Sequence, residues 1–168
     1  MMKLAVVDTN VAVVANRRSK QASDKCMEIC EKRLNRIMLG QVKLVLDSQW
    51  QIIGEYMRNL HSSGQPGVGD RFLQWVLRNH RNNILCDLVS ISTNGSDKFP
   101  EDPELRGFDP SDRKFVAVSM VHPKHPSILQ AVDRLWWGFK DALERNGVNV
   151  EFICESDIQN LYDQRLGR

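Results

Sequence analysis

Residues 3–11 read Lys3-Leu4-Ala5-Val6-Val7-Asp8-Thr9-Asn10-Val11, a short apolar run with a carboxylate at its end. The run over 4–7 predicts a fully buried strand, because it is short, rich in β-branched residues and followed directly by polar ones. A carboxylate beside such a core requires a cation, strong hydrogen-bond donors or an open crevice. In open α/β sheets, ligand crevices lie at the carboxyl ends of strands. Asp8 is therefore a candidate site residue, or alternatively the cap of a turn through Thr9 and Asn10.

The length and composition indicate an ordinary globular protein with one domain spanning 1–168. No apolar run approaches the roughly 20 residues of a membrane span, and the N-terminus lacks a secretory-signal layout. We therefore expect a cytoplasmic protein with no membrane partner. The 23 basic residues nearly balance 21 acidic ones, so the net charge of +2 does not by itself indicate nucleic-acid binding.

Predicted strands and helices alternate along the chain. Strands are predicted at 4–7, 43–46, 85–91, 127–132 and 149–153, and helices at about 23–39, 48–60, 70–81, 110–121, 134–146 and 155–165. Ser48 and Gln51 have capping-box spacing, which makes Asp47 a cap rather than a catalytic residue. Residues 92–108 lack periodicity and predict a long functional or mobile loop. The alternation predicts a three-layer α/β/α fold with a mostly parallel five-stranded sheet.

The cysteines Cys26, Cys30, Cys86 and Cys154 match no disulfide framework and no paired zinc-binding pattern. Cys26 and Cys30 are four residues apart on a predicted helix and share one face, which is compatible with a pair of metal ligands. The favoured interpretation is that the cysteines are buried thiols that pack as small hydrophobic residues.

The first and fourth predicted strands end in the same way, in Asp8 and Asp133. If these strands are neighbours, their Cα atoms lie about 4.8 Å apart, so the two carboxylates could hold one divalent cation. Asp112, near a predicted helix start, and Glu55, at the edge of a predicted apolar arc, could add two more ligands. Glu55 alone equally fits an ordinary surface glutamate.

Four segments together resemble the acidic motifs of the PIN domain family. They are Val6-Val7-Asp8-Thr9-Asn10-Val11, Glu55-Tyr56, Asp112-Arg113-Lys114-Phe115-Val116-Ala117-Val118 and Ala131-Val132-Asp133. Each motif alone is weak, but the four occur in the family's order, over nearly the whole chain, on the expected elements. The family often has a second acid two residues after the fourth aspartate, and here that position is Leu135. The chain is also longer than a minimal toxin of the family, mainly through residues 92–108.

The resemblance implies strand order 3-2-1-4-5 and an endoribonuclease that depends on Mg²⁺ or Mn²⁺. By motif position, Asp8, Glu55, Asp112 and Asp133 are the implied catalytic and metal-binding residues, and Asn10 is a polar residue beside the metal that is expected to contact substrate. RNA is the implied partner, and the further partners suggested are an antitoxin protein and a second copy in a homodimer. The oxygen ligands favour Mg²⁺ or Mn²⁺ over zinc, because the four motifs contain no histidine or cysteine.

Substrate contacts are expected from cations close in sequence to these motifs. They are Arg17, Arg18, Arg58, Arg113, Lys114, Arg134 and Lys140, of which Arg113, Lys114 and Arg134 lie inside or beside a motif. Trp136 and Trp137 could stack on unpaired bases, although at least one of them is expected in the core.

Two other functional classes are compatible with the sequence. One is a catalytically inactive PIN-like module that binds RNA or protein. The other is a phosphatase of the haloacid-dehalogenase type that uses Asp8 as a nucleophile, but such enzymes need a second aspartate where this chain has Asn10.

Overall fold

The computed structural model describes residues 2–166, apart from the side chains of Asn94, Ser96 and Leu166, as a three-layer α/β/α fold. Its five strands are β1 (Lys3–Val7), β2 (Val42–Asp47), β3 (Cys86–Val89), β4 (Ser127–Gln130) and β5 (Val150–Phe152). They form one parallel sheet in the order β3-β2-β1-β4-β5, as predicted. The helices are α1 (Thr9–Ala15), α2 (Asp24–Met38), α3 (Gln51–Asn59), α4 (Val68–Asn79), α5 (Arg113–Val121), α6 (Arg134–Gly138), α7 (Lys140–Arg145) and α8 (Glu155–Leu166).

The central strand β1 explains why its sequence is continuously apolar. It is paired on both edges, with Ala5 opposite Leu44 of β2 and Ser127 of β4. Val6 and Val7 are fully buried, as expected for a strand covered on both faces. The helix α5 packs across β1, β2 and β4, so the apolar strands and this helix form the centre of the core.

Helix α1 was not among the predicted helices, the first of which was placed at about 23–39. Its sequence lacks the repeating apolar and polar positions that identify a half-exposed helix, because nearly all of the segment is buried, including Val11, Ala12 and Val14. Asp8 is its N-cap, and one carboxylate oxygen accepts a hydrogen bond from the Asn10 N–H at 3.1 Å. The capping alternative for Asp8 is therefore correct, and it leaves the second carboxylate oxygen for other contacts.

The predicted capping box at Ser48 is wrong, whereas the capping role of Asp47 is confirmed. The fully buried Asp47 carboxylate accepts hydrogen bonds from the backbone N–H groups of Gln49, Gln51 and Ile52 at 2.8–3.1 Å. The N-cap position itself is Trp50, whose backbone is left-handed with φ of 65°. The predicted helix over 134–146 is also interrupted, because α6 ends and α7 begins around Phe139.

Residues 92–108 form a packed segment with short 3₁₀ helices at Thr93–Lys98 and Pro103–Leu105. A Cβ atom on Gly95, where φ is +67°, would lie 2.2 Å from the Cβ of Ala117 in α5. The segment therefore approaches α5 so closely that glycine is needed at this point. A third 3₁₀ helix, Pro110–Asp112, leads directly into α5.

The structure contains a disulfide between Cys26 and Cys154, which corrects the prediction that these residues are free thiols. The two cysteines are 128 positions apart in sequence, with Cys26 in α2 and Cys154 directly before α8. No local spacing pattern identifies such a pair, because the fold alone brings the two segments together. Cys30 and Cys86 are buried free cysteines, as predicted.

We expect reduction of the Cys26–Cys154 disulfide to destabilise the protein. Opening a loop of this length should lower the free energy of unfolding by about 4–5 kcal/mol through the entropy of the unfolded chain. The measurement is urea denaturation with and without dithiothreitol. Cys154→Ser should lose this stability without reductant, and a Cys86→Ser control should leave the response to reductant unchanged. An equal unfolding midpoint for oxidised and reduced wild type would contradict the bond.

Within the described part of the chain, no helix combines the length and the apolar character needed to cross a membrane.

Candidate functional site

Asp8 and Asp133 lie at the carboxyl ends of two neighbouring strands. Asp8 directly follows β1, and its backbone N–H donates to the Leu129 carbonyl oxygen of β4 at 3.1 Å. Asp133 follows β4 as the N-cap of α6, and its carboxylate accepts from the Leu135 N–H at 3.1 Å. The chain reverses its strand order between β1 and β4, which is where open α/β sheets form ligand crevices.

Four carboxylates interact electrostatically at this edge of the sheet, and we call them the acidic quartet: Asp8, Glu55, Asp112 and Asp133. Burial raises the pKa of Asp8 well above its ordinary value, and the charges of Asp112, Asp133 and Glu55 raise it further. Burial, followed by Asp133, Asp109 and Glu55, raises the pKa of Asp112 to about 7. The structure thus brings the four predicted residues into mutual electrostatic range from β1, α3, the turn before α5 and the end of β4.

A fifth carboxylate, Asp109, also acts on this group, although it was not among the predicted site residues. Its side chain accepts hydrogen bonds from the N–H and hydroxyl groups of Ser111 at 2.9 Å. Burial raises the pKa of Asp133, the negative charge of Asp109 raises it further, and Asp109 also raises the pKa of Asp112. Its position three residues before Asp112 is the signal that could have identified it.

Glu55 is held by two groups from other elements. Lys114 donates from Nζ to one carboxylate oxygen at 2.7 Å, and the hydroxyl of Thr9 donates to the other. Lys114 is only 3% exposed and also donates to the Ser111 carbonyl oxygen. The residue predicted to bind substrate therefore serves in this structure as the internal counter-ion of Glu55. Neither this role nor the Thr9 contact was predicted.

Three polar side chains fix the backbone on either side of the quartet. The hydroxyl of Tyr56 donates to the Val7 carbonyl oxygen at 2.5 Å, and burial raises the pKa of this tyrosine, so the hydroxyl stays protonated. The Asn10 side-chain oxygen accepts from the Val132 N–H at 2.8 Å. The Gln130 side-chain oxygen accepts from the N–H groups of Ala131 and Asp133 at 2.9 and 3.3 Å. Asp8 and Asp133 are thus attached to a rigid frame.

Several of the cations predicted to contact substrate are engaged within the protein instead. The Arg113 guanidinium lies 4.6 Å from the ring centroid of Phe99 and donates to the Phe108 carbonyl oxygen at 3.4 Å, so it holds the 92–108 segment. Arg17 pairs with Glu31 at 2.8 Å. Arg134 is half-buried and lines a cavity of about 240 Å³ that also contacts Asn10, Asp133 and Arg165.

The two tryptophans considered for base stacking do not present free faces at this site. Trp136 is fully buried, with its ring 4.9 Å from that of Phe108, so its stacking role is wrong. Trp137 is half-buried and packs edge-on against Phe152 at 5.0 Å.

The donor set of the quartet consists of oxygen atoms and fits a hard divalent cation. Four carboxylates face one buried ammonium group, Lys114, so the group needs further positive charge when all are ionised. The carboxylates are less tightly grouped than the cysteines: among the described residues, only the sulfurs of Cys26, Cys30 and Cys154 form a set of three ligand atoms within 4.8 Å of one another. Two of those sulfurs are joined in the disulfide.

Comparison with known proteins gives no match to a family model, a curated protein or a solved structure. The PIN-like interpretation therefore depends on the sequence motifs and on the geometry described above.

We expect the stability of the metal-free protein to fall as the pH rises from about 4 to about 7. Asp8, Asp112 and Asp133 have raised pKa values in the folded state, so the folded protein binds more protons than the unfolded chain in this range. For Asp112, whose pKa is about 7, the free energy of unfolding should fall by on the order of 2–4 kcal/mol over this pH range. Urea denaturation in EDTA at pH 5 and pH 8 measures it. Equal stability at both values would contradict the grouping of these carboxylates.

Proposed function

We propose that this protein is a Mg²⁺- or Mn²⁺-dependent endoribonuclease of the PIN type, which hydrolyses phosphodiester bonds of RNA. The observation that carries the proposal is the acidic quartet at the reversal point of the sheet, where burial and the neighbouring carboxylates raise the pKa values of Asp8 and Asp112. Buried like charges of this kind are costly and are typical of functional sites. The sequence resemblance to the PIN family supports the same conclusion independently.

A divalent cation fits the quartet because the ligands are carboxylates and their charge is largely uncompensated. When bound, such a cation activates water as a nucleophile and neutralises negative charge on the phosphodiester. Asp8, Asp112 and Asp133 would hold it. Asp8 is the central residue, since the other three carboxylates all act on its pKa.

Glu55 is suited to orienting a water molecule, since Lys114 and Thr9 fix both of its carboxylate oxygens. Without a metal, Asp112 has a pKa of about 7, so its carboxylate holds a proton near neutral pH that a bound cation would displace. Asn10 and Arg134 lie beside Asp133 at the mouth of the crevice, where the RNA backbone would enter.

A PIN-like module without catalysis is the second candidate. It is favoured by Leu135, which is 47% exposed at the position where the family often has an acid. The proposal extends to a cytoplasmic location, for which the sequence features given above are the only support, and to an antitoxin or a second copy of the chain as partners.

The direct test is cleavage of a labelled single-stranded RNA by the wild-type protein with Mg²⁺, Mn²⁺ or EDTA, combined with thermal unfolding during a Mn²⁺ titration. A nuclease should cleave with Mg²⁺ or Mn²⁺ only, and its unfolding temperature should rise with Mn²⁺. Glu28→Gln, a change at an exposed glutamate on α2, should alter neither result. Stabilisation by Mn²⁺ without cleavage would indicate a metal-binding module, and the absence of both would refute the metal site.

A further inference from the structure

A cavity of about 590 Å³ opens beside the acidic quartet, at the carboxyl ends of β2 and β3. We call it the Trp50 pocket, and its walls include Gln49, Trp50, Gln51, Arg58, Ser92 and Lys114. Lys114 is shared between the pocket and the quartet, because the Nζ that bonds Glu55 at 2.7 Å belongs to a wall residue of the pocket. The pocket and the quartet therefore lie on either side of the Lys114–Glu55 ion pair.

The most distinctive wall of the pocket is the indole of Trp50. It is 43% exposed, whereas the other three tryptophans are buried or half-buried. Its backbone is in the left-handed region, with φ of 65° and ψ of 24°, where residues other than glycine are uncommon. The ring packs against His80 at 5.3 Å with an interplanar angle of 88°. Trp50 is thus fixed by its backbone and by a neighbouring ring, while much of its surface faces solvent.

The polar side chains around the indole are already engaged within the protein. The Gln49 amide nitrogen donates to the Ser90 hydroxyl at 2.7 Å, and the Gln51 amide nitrogen donates to the Ser92 carbonyl oxygen at 2.7 Å. Because these amide nitrogens already have partners, the two side chains line the pocket but do not select one particular base by hydrogen bonding. Arg58 differs from them: it is exposed and supplies a positive charge at the pocket.

An exposed aromatic face with a nearby arginine is the usual combination for binding unpaired nucleotides. Stacking on an aromatic ring tolerates any base, because every base has a π face, and the cation contacts the adjacent phosphate. A duplex cannot use such a pocket, since its bases are stacked on one another.

We propose that the Trp50 pocket binds one unstacked nucleobase of single-stranded RNA, next to the phosphate held at the acidic quartet. This inference rests on the proposed nuclease function, which places a phosphate of the RNA at the quartet. It specifies the substrate as single-stranded RNA that is bound with little sequence preference. Trp50 stacks on the base and Arg58 contacts a neighbouring phosphate.

The binding test uses a short, fluorescently labelled single-stranded RNA in EDTA, so that it does not require catalysis. Trp50→Ala should weaken binding about 5- to 100-fold, and Trp50→Phe should recover part of the loss because it keeps an aromatic ring. Arg58→Gln, at an exposed position, should weaken binding to all sequences alike. It should also reduce the slope of log K against log salt concentration by about one, the contribution of one phosphate contact. Trp75→Leu is the matched control, because Trp75 lies in a separate groove between α2 and α4.

The activity test measures cleavage of single-stranded RNA over a range of RNA concentrations. Trp50→Ala should raise the KM for RNA more than it lowers kcat, because the pocket holds a base and not the reacting phosphate. If neither wild type nor variant cleaves RNA, the nuclease proposal fails, while RNA binding in EDTA still tests the pocket proposal. Equal RNA binding by wild type, Trp50→Ala and Arg58→Gln, or equal loss with Trp75→Leu, would overturn the pocket proposal.

Discussion

Replacing Asp8 with Asn is expected to reduce Mn²⁺-dependent cleavage of single-stranded RNA by at least about 100-fold, or about 2.7 kcal/mol of transition-state stabilisation. Asn is nearly isosteric and can still cap α1 through its side-chain oxygen, so the fold should persist. The change removes the negative charge on which the other three quartet carboxylates act. Cleavage rates at saturating Mn²⁺ measure the effect, with Asp163→Asn at an exposed position of α8 as the control.

A second measurement separates loss of function from loss of folding in the same variant. Without metal, Asp8→Asn should raise the free energy of unfolding at pH 8, because Asp8 has a raised pKa and its ionised form is disfavoured. Stabilisation by Mn²⁺ should shrink at the same time. Full cleavage activity in a folded Asp8→Asn variant would remove Asp8 from the mechanism, and lower stability in EDTA would contradict the repulsion within the quartet.

The sequence predicted the sheet and two of its site residues through purely local patterns. A short apolar run followed by an aspartate occurs at both Asp8 and Asp133, and the alternation of strands and helices predicts a parallel sheet. The resemblance to a known family then supplied the strand order and strengthened the choice of Glu55 and Asp112. Each of these inferences needs only the identity of a few adjacent residues.

The contacts that organise the site are not local, and the sequence did not reveal them. Thr9 and Glu55 are 46 positions apart, and Glu55 and Lys114 are 59 apart, so no periodicity links them. The same reason explains the missed disulfide, which joins residues 128 positions apart. Trp50 was not singled out, because neither its exposure nor its left-handed backbone is visible in the sequence, whereas Trp136 and Trp137 follow a motif residue directly.

Lys114→Met is expected to destabilise the metal-free protein by about 3–5 kcal/mol, the usual cost of removing one partner from a buried ion pair. Lys114 and Glu55 are 4% and 15% exposed at the side chain, and the pair is 2.7 Å apart. Without the ammonium group, Glu55 would be left beside Asp8 and Asp112 with only the Thr9 hydroxyl as a donor. Urea denaturation at pH 8 in EDTA measures the loss.

A double-mutant cycle with Glu55→Gln shows whether this cost comes from the unpaired charge or from lost packing. If Lys114 acts as a counter-ion, the double variant Lys114→Met/Glu55→Gln should recover most of the stability, since both charges are then absent.

Mn²⁺ should also restore more stability to Lys114→Met than to wild type, because a bound cation replaces the missing positive charge. Lys140→Met is the matched control, since Lys140 lies 4.9 Å from the Trp137 ring and outside the quartet. Additive losses in the cycle would mean that Lys114 supports the site through packing alone, and that Glu55 keeps its position without a partner of opposite charge.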